Sequence, residues 1–135
     1  MVLEGINDLI HPGSAAPASE EVSAEEIIAG LSFYIECAHE RGLKIFGGTV
    51  TPFGGYTAGF TTGREARRQI VNSWIRTSGR YDGIFDADQA VRNPRQPEQL
   101  LSAYDSGDHL HFNEAGARAV ANAVDLSLFQ RENGD

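Results

Sequence analysis

Asp108 stands three residues before His111, in a segment that runs from Tyr104 to Asn113 into an apolar-periodic stretch. That spacing lets a carboxylate orient an imidazole and stabilise its charge as a general base. Near the other end, Gly5-Ile6-Asn7-Asp8 follows a short apolar run, and a turn there presents the Asn7 amide as a donor to an oxyanion. Each patch also has a plainer reading. His111 at a helix entry serves equally as a cap or a packing group, and Asn7 as an ordinary turn residue, because Asn and Asp favour turns. Together with His109, Asp108 and His111 form two imidazoles and a carboxylate, a possible metal-ligand set. Histidines at i and i+2 in an irregular turn, however, converge less readily than a pair at i and i+4 on a helix. Two serines are candidate nucleophiles: Ser106, five residues from His111, and Ser14, in the loop after Asn7. Either needs to come within roughly 2.6–3.2 Å of the base.

The elements that must position these residues follow from hydrophobic period and punctuation. Val2-Leu3 before Gly5 reads as the end of a buried strand. Residues 11–19 form a loop rich in Pro, Gly and Ser. Ser23-Ala24-Glu25-Glu26 has capping-box spacing, and a helix over residues 24–41 faces Ile27, Ile28, Leu31, Ile35 and Ala38 inward before Gly42 ends it. Residues 43–48 give the next strand, and Thr51-Pro52-Phe53 lies in the loop beyond it. Thr62-Gly63-Arg64-Glu65 repeats the capping-box spacing ahead of a helix that carries Ala66, Ile70, Val71, Trp74 and Ile75 on one face. Residues 81–86 make a third strand. A long polar connection with Asn93-Pro94 and Gln96-Pro97 then leads to the His111 turn, where Asn113 caps a last helix with Val120, Ala121, Val124 and Leu128 inward. Alternating strands and helices predict an α/β fold: an open parallel sheet of about three strands between helical layers. Ligand sites in such sheets lie beyond the carboxyl ends of the strands, so Asn7, the Thr51 loop and the His111 turn converge on one rim.

The 135 residues, 41% of them hydrophobic, suffice for one core and are read as a single domain over residues 1–135. A net charge of -8 opposes nucleic-acid binding, which relies on clustered Lys and Arg. The one basic cluster, Arg64, Arg67 and Arg68, reads as a solvated helix face. Cys37 is alone and excludes an intrachain disulfide; its helical position suggests packing. His11 and His39 read as solvent-facing. No run approaches the roughly 18 apolar residues of a membrane span, and Met1-Val2-Leu3 is no signal peptide. The expectation is a soluble protein, cytoplasmic as expressed, that uses no cofactor.

Gly5-Ile6-Asn7-Asp8, with Val2-Leu3-Glu4 before it, and Asp108-His109-Leu110-His111, with Thr49-Val50-Thr51-Pro52-Phe53 between them, resemble the sequence blocks of the SGNH (GDSL) hydrolases, a family of ester hydrolases. The resemblance runs over essentially the whole chain. It implies a flavodoxin-like three-layer α/β/α sandwich acting on small-molecule esters, with His111 as base, Asp108 as its orienting acid and Asn7 as oxyanion donor. Gly5 then lets the backbone turn closely beneath the site. The family's nucleophile lies in a Gly-Asp-Ser block upstream of its Gly-x-Asn-Asp block, and only four residues precede Gly5 here. The chain therefore reads as the C-terminal part of that fold, with the Val2-Leu3 strand as an open edge through which copies self-associate. The alternative to an ester hydrolase is a catalytically silent oligomerising or ligand-binding domain.

Overall fold

In the computed structural model, which describes residues 1–130, the chain enters through Val2 and turns at Gly5 into a short helix, α1 (Ile6–Ile10). Gly5 has φ 112°, a left-handed conformation that side chains resist. A 3₁₀ turn (Ala18–Glu20) leads to α2 (Ala24–His39). There Ser23 accepts from the Glu26 amide while the Glu26 carboxylate accepts from the Ser23 amide, a complete capping box. Ile27, Leu31 and Ile35 are buried, and Ile28 and Ala38 are half-buried against them.

Next come β1 (Phe46–Gly48), α3 (Thr62–Thr77) and β2 (Gly83–Phe85). The strands pair in parallel, Phe46 with Gly83 and Phe85 with Gly48. Val2 adds one parallel bridge on the far side of β1: its N–H donates to the Phe46 carbonyl at 2.8 Å and its carbonyl accepts from Gly48 at 2.7 Å. The strand expected at Val2-Leu3 is therefore a single bridge. Side chains alternate across this sheet. Ile45 joins Leu31, Ile35, Val71, Ile75 and Tyr81 in the core beneath α2 and α3. Phe46 points the other way and meets Phe129 edge-on, with ring centroids 5.1 Å apart. A Cβ on Gly47 would lie 2.6 Å from the Tyr81 ring, so the absence of a side chain lets that ring close over the sheet.

Several expectations are corrected. The stretch read as a polar connection folds into α4 (Ala87–Val91) and a hairpin of β3 (Arg92–Asn93) and β4 (Gln96–Leu100), whose turn is fastened by the Asn93 side chain accepting from the Arg95 amide. The cap of α3 is Thr61 rather than Thr62, and Ala66 and Ile70 are exposed. The last helix, α5 (Glu114–Asn122), stops before Leu128, which lies in a 3₁₀ turn (Leu126–Phe129), and Ala121 is exposed. His11 is half-buried. His39, exposed as expected, pairs with Asp82 at 3.0 Å. Among the described residues, no helix is long and apolar enough to cross a membrane.

The largest correction is the basic cluster. Arg67 pairs with Glu21 at the surface, and Arg64 holds the Pro12 and Gly59 carbonyls. Arg68 has no exposed surface at all. It donates to both Glu65 oxygens, to Asp88 at 2.7 Å and to the Val50 carbonyl at 2.8 Å. Burial pushes its guanidinium pKa down, but the Glu65 and Asp88 carboxylates more than offset that and hold it above the ordinary value. Arg76 bridges Asp86 and Asp88.

Two outcomes follow. Arg68→Ala takes from buried Asp88 one of its arginine partners and leaves Glu65 and the Val50 carbonyl without theirs, so urea denaturation should show a loss of about 3–5 kcal/mol, whereas Arg67→Ala leaves the midpoint unchanged within error. Burial raises the Asp86 pKa, yet hydrogen bonds from Arg76, the Gln89 amide and Thr49 bring it down to about 2. A carboxyl depressed on folding stabilises above its unfolded value and ceases to do so as pH falls through its folded value. Acid unfolding followed by circular dichroism should therefore draw on Asp86 between about pH 4 and pH 2, and Arg76→Gln should move the midpoint to higher pH.

Candidate active site

Three segments meet beyond the carboxyl end of β1. The first is the start of α1, where the Gly5 turn delivers Asn7 into the opening helical turn. A Cβ on Gly5 would sit 3.5 Å from both Ile27 and Val50, so the turn nests against the core while Asn7 stays exposed.

The second segment is Thr49-Val50-Thr51. The Thr49 N–H still donates to the Phe85 carbonyl of β2 at 3.3 Å; beyond it the backbone leaves the sheet and side chains take over. Asn72 accepts from the Val50 N–H at 2.7 Å and donates to its carbonyl at 2.8 Å, beside the bond from Arg68. Thr49 donates to Asp86 and accepts from the Asp88 amide.

The third segment is the turn before α5. Asn113 caps α5 by accepting from Gly116, and its amide donates to the Ala103 and Asp105 carbonyls, fastening the turn to the helix. Within it, Asp108 Oδ1 accepts from the Leu110 and His111 amides at 3.0 and 2.8 Å, and Oδ2 lies 2.6 Å from His111 Nδ1. The His111 ring, its amide and that of Leu110 hold the Asp108 carboxyl well below the usual carboxylate range. With Nδ1–H directed at the carboxylate, the neutral ring carries its lone pair on Nε2, and among the described residues nothing hydrogen-bonds that atom. Both side chains are open to solvent, His111 at 74% and Asp108 at 45%. Asn7, Thr51 and His111 share the wall of one cavity of about 220 Å³.

The serines sit elsewhere. Ser106 Oγ donates to Asp108 at 3.0 Å, which makes it a partner of the acid. Ser14 Oγ donates to the Ile10 and His11 carbonyls at the end of α1 and is not on the cavity wall. His109 is drawn to a different carboxylate: its Nδ1 lies 2.6 Å from Asp105 Oδ2, and Asp105 Oδ1 accepts from the Gly107 and His109 amides. The two imidazoles of the turn are thus divided between two acids. Among the described residues, no three His, Cys, Asp or Glu side chains come together to hold a metal ion. Sequence reasoning missed the Asp105–His109 pair, although its i, i+4 spacing was visible, whereas the convergence of Asn7, the Thr51 loop and the His111 turn on one rim is as expected.

The model of the GDSL-like lipase/acylhydrolase family matches residues 1–119, a span that includes both the Asn7 turn and the Asp108–His111 turn, and supports a hydrolase-type function. No curated protein matches the chain.

The hydrogen bond to Asp108 sets the His111 tautomer, and that is open to direct observation. Two-bond ¹⁵N correlation spectra at neutral pH should show Nδ1–H in the unaltered protein and a shift toward Nε2–H in Asp108→Ala. An unaltered protein already in the Nε2–H form would contradict the geometry.

Proposed function

The chain belongs to the GDSL-like lipase/acylhydrolase family, and from that premise we propose that it is a carboxylic ester hydrolase in which His111 is the base, Asp108 its orienter and Asn7 the oxyanion donor. The observation that carries this reading is the Asp108–His111 pair, with both Asp108 oxygens committed and His111 on the wall of a cavity that Asn7 also lines. No Gly-Asp-Ser sequence occurs in the 135 residues, and the Ser106 and Ser14 hydroxyls are engaged with other acceptors. For these 135 residues by themselves, the attacking group in this reading is water. His111 Nε2 takes a proton from it as the oxygen adds to the ester carbon, Asn7 donates to the carbonyl oxygen as charge grows there, and the alkoxide leaves with the proton returned from Nε2. Catalysis of this kind is modest: hydrolases deprived of a triad member keep roughly 10³–10⁴-fold over water.

A second reading, a silent domain that self-associates, is favoured by one observation. Among the described residues Val2 pairs on one side only, toward β1, and beside it Met1 is exposed and Leu3 is 37% exposed. A strand with one open side is a template for a second chain.

Hydrolysis of an activated short-chain aryl ester should exceed buffer, return to the buffer rate in His111→Ala, and fall by about tenfold or more in Asp108→Asn, where the acceptor for Nδ1–H is weakened. Activity untouched by His111→Ala would remove that residue from the mechanism. A serine-directed organophosphonate should leave the intact mass unchanged, and an adduct would replace water by a serine. Light scattering separates the second reading: a dimer or larger closed oligomer broken by Leu3→Lys would support it, and a well-behaved monomer of 14.6 kDa would reject it.

A further inference from the structure

His109 is held from two sides, and it is not on the cavity wall. On one side Asp105 accepts from its amide and lies 2.6 Å from its Nδ1, which holds the residue at its left-handed φ of 63°. On the other side the chain beyond Thr51 makes a tight turn, closed by the Tyr56 N–H donating to the Phe53 carbonyl at 3.0 Å. A Cβ on Gly55 would lie 3.1 Å from Cγ and 3.2 Å from Cβ of His109, so the imidazole is seated against bare backbone. Gly55 has φ 99°, a second reason for glycine there.

The seat is itself fixed in the molecule. The Gly54 N–H donates to the Glu98 carbonyl of β4, an approach that a Cβ on Gly54 would block at 2.5 Å from that oxygen. The Phe53 side chain has no exposed surface. Three successive residues of the His111 turn therefore diverge: His109 rests on Gly55, Leu110 packs against the core and His111 stands on the cavity wall. The Ser106 N–H donates to the His111 carbonyl and closes the loop between them, and a loop closed only there can pivot on its closure. Contact on two sides stops the pivot. Thr51, three residues before Gly54, lines the same cavity as His111, so the seat ties the two walls together. The His109 side chain is 56% exposed, so it adds little burial and acts through direction.

We propose that His109 is a positioning residue: seated between Asp105 and Gly55, it locks the Asp108–His111 pair to the segment that carries Thr51. The proposal rests on His111 acting at the ester.

The test compares four variants of the whole chain by two-bond ¹⁵N spectra of His111 at neutral pH and by hydrolysis of an activated aryl ester. Gly55→Ala strains a left-handed residue and presses on the imidazole, whereas Gly42→Ala imposes the same kind of strain at φ 66° with nothing within 4 Å of the new Cβ. His109→Gly relieves the backbone and removes the ring; His109→Asn tolerates the left-handed backbone and returns a side-chain N–H for Asp105. Gly42→Ala should lower the urea midpoint and leave the His111 signals in place. Gly55→Ala and His109→Gly should turn His111 from the Nδ1–H form into a mixture of tautomers and slow hydrolysis by about tenfold, inside the roughly hundredfold that a misplacement of ~1 Å costs. His109→Asn should recover most of the Nδ1–H form. His111 signals in Gly55→Ala that match those of Gly42→Ala would overturn the proposal, as would a His109→Asn no better than His109→Gly; the His109 variants decide it if Gly55→Ala loses its circular dichroism spectrum. The spectra need no turnover. The expected His111 changes in a protein without hydrolysis keep the positioning role and reject the esterase reading, and hydrolysis with unmoved His111 signals does the reverse.

Discussion

A guanidinium brings five N–H donors and a permanent charge into whatever surrounds it, so a helix that buries one completely must find acceptors or fail to pack. Arg68 is that residue here. Its acceptors come from its own helix (Glu65), from α4 (Asp88) and from the end of β1 (the Val50 carbonyl), so one side chain fixes the mutual position of three segments. Asp88, itself without exposed surface, answers to Arg68 and Arg76 and gives its amide to Thr49. The site depends on this knot because Val50 and Thr51 are on the cavity wall. The backbone there leaves the sheet and is held instead by Asn72 and Arg68. Apolar packing would supply comparable stability without charge, but it would not fix the direction of the Val50 carbonyl.

The turn before α5 is built by the same device at the surface. Asp105 and Asp108 each accept backbone N–H groups on one oxygen and an imidazole on the other, and the two arrangements are offset by three residues along the chain. The first bends the backbone sharply: His109 is left-handed at φ 63°, a conformation that costs a non-glycine residue about 1–3 kcal/mol. The three bonds to Asp105 offset that cost, and Leu110 then lies on the cavity wall with His111 beside it. Asp105 is thereby part of the positioning of Asp108 although it touches neither the cavity nor the His111 ring.

Local signals in the sequence were reliable where a few consecutive residues decide the outcome. Ser23 with Glu26, Asn113 ahead of α5 and the Asp108–His111 spacing are short-range contacts, and spacing alone identifies them. Fold class followed from the alternation of strand and helix. What stayed hidden depends on partners far along the chain. Arg68 looks like any surface arginine until Asp88 and Val50 arrive, twenty and eighteen residues away. Arg92–Asn93 and Gln96–Leu100 are too short and polar to signal a hairpin, which exists because the turn at Asn93 and the packing of Leu100 make it. Ile70 has the right spacing for the core and is exposed because α3 turns its Arg68, Val71, Asn72 and Ile75 face inward to serve the knot.

The exposure of the Asp108–His111 pair decides what the acid contributes. Unit charges about 4 Å apart attract by only ~1 kcal/mol in water against ~4 kcal/mol near a protein surface with an effective dielectric of about 20, and a pair this open lies toward the weaker limit. Asp108 is therefore a poor source of charge stabilisation for an imidazolium. Its effect is orientation: the carboxylate is pinned by two amides and the Ser106 hydroxyl, so it aims Nδ1 at one oxygen and fixes the tautomer of a ring on the cavity wall that Asn7 shares. A covering group that excluded water would strengthen the charge term without altering that geometry. The chain's own contribution at this site is thus a preset tautomer and a fixed direction, both supplied by hydrogen bonds within a turn of a few residues.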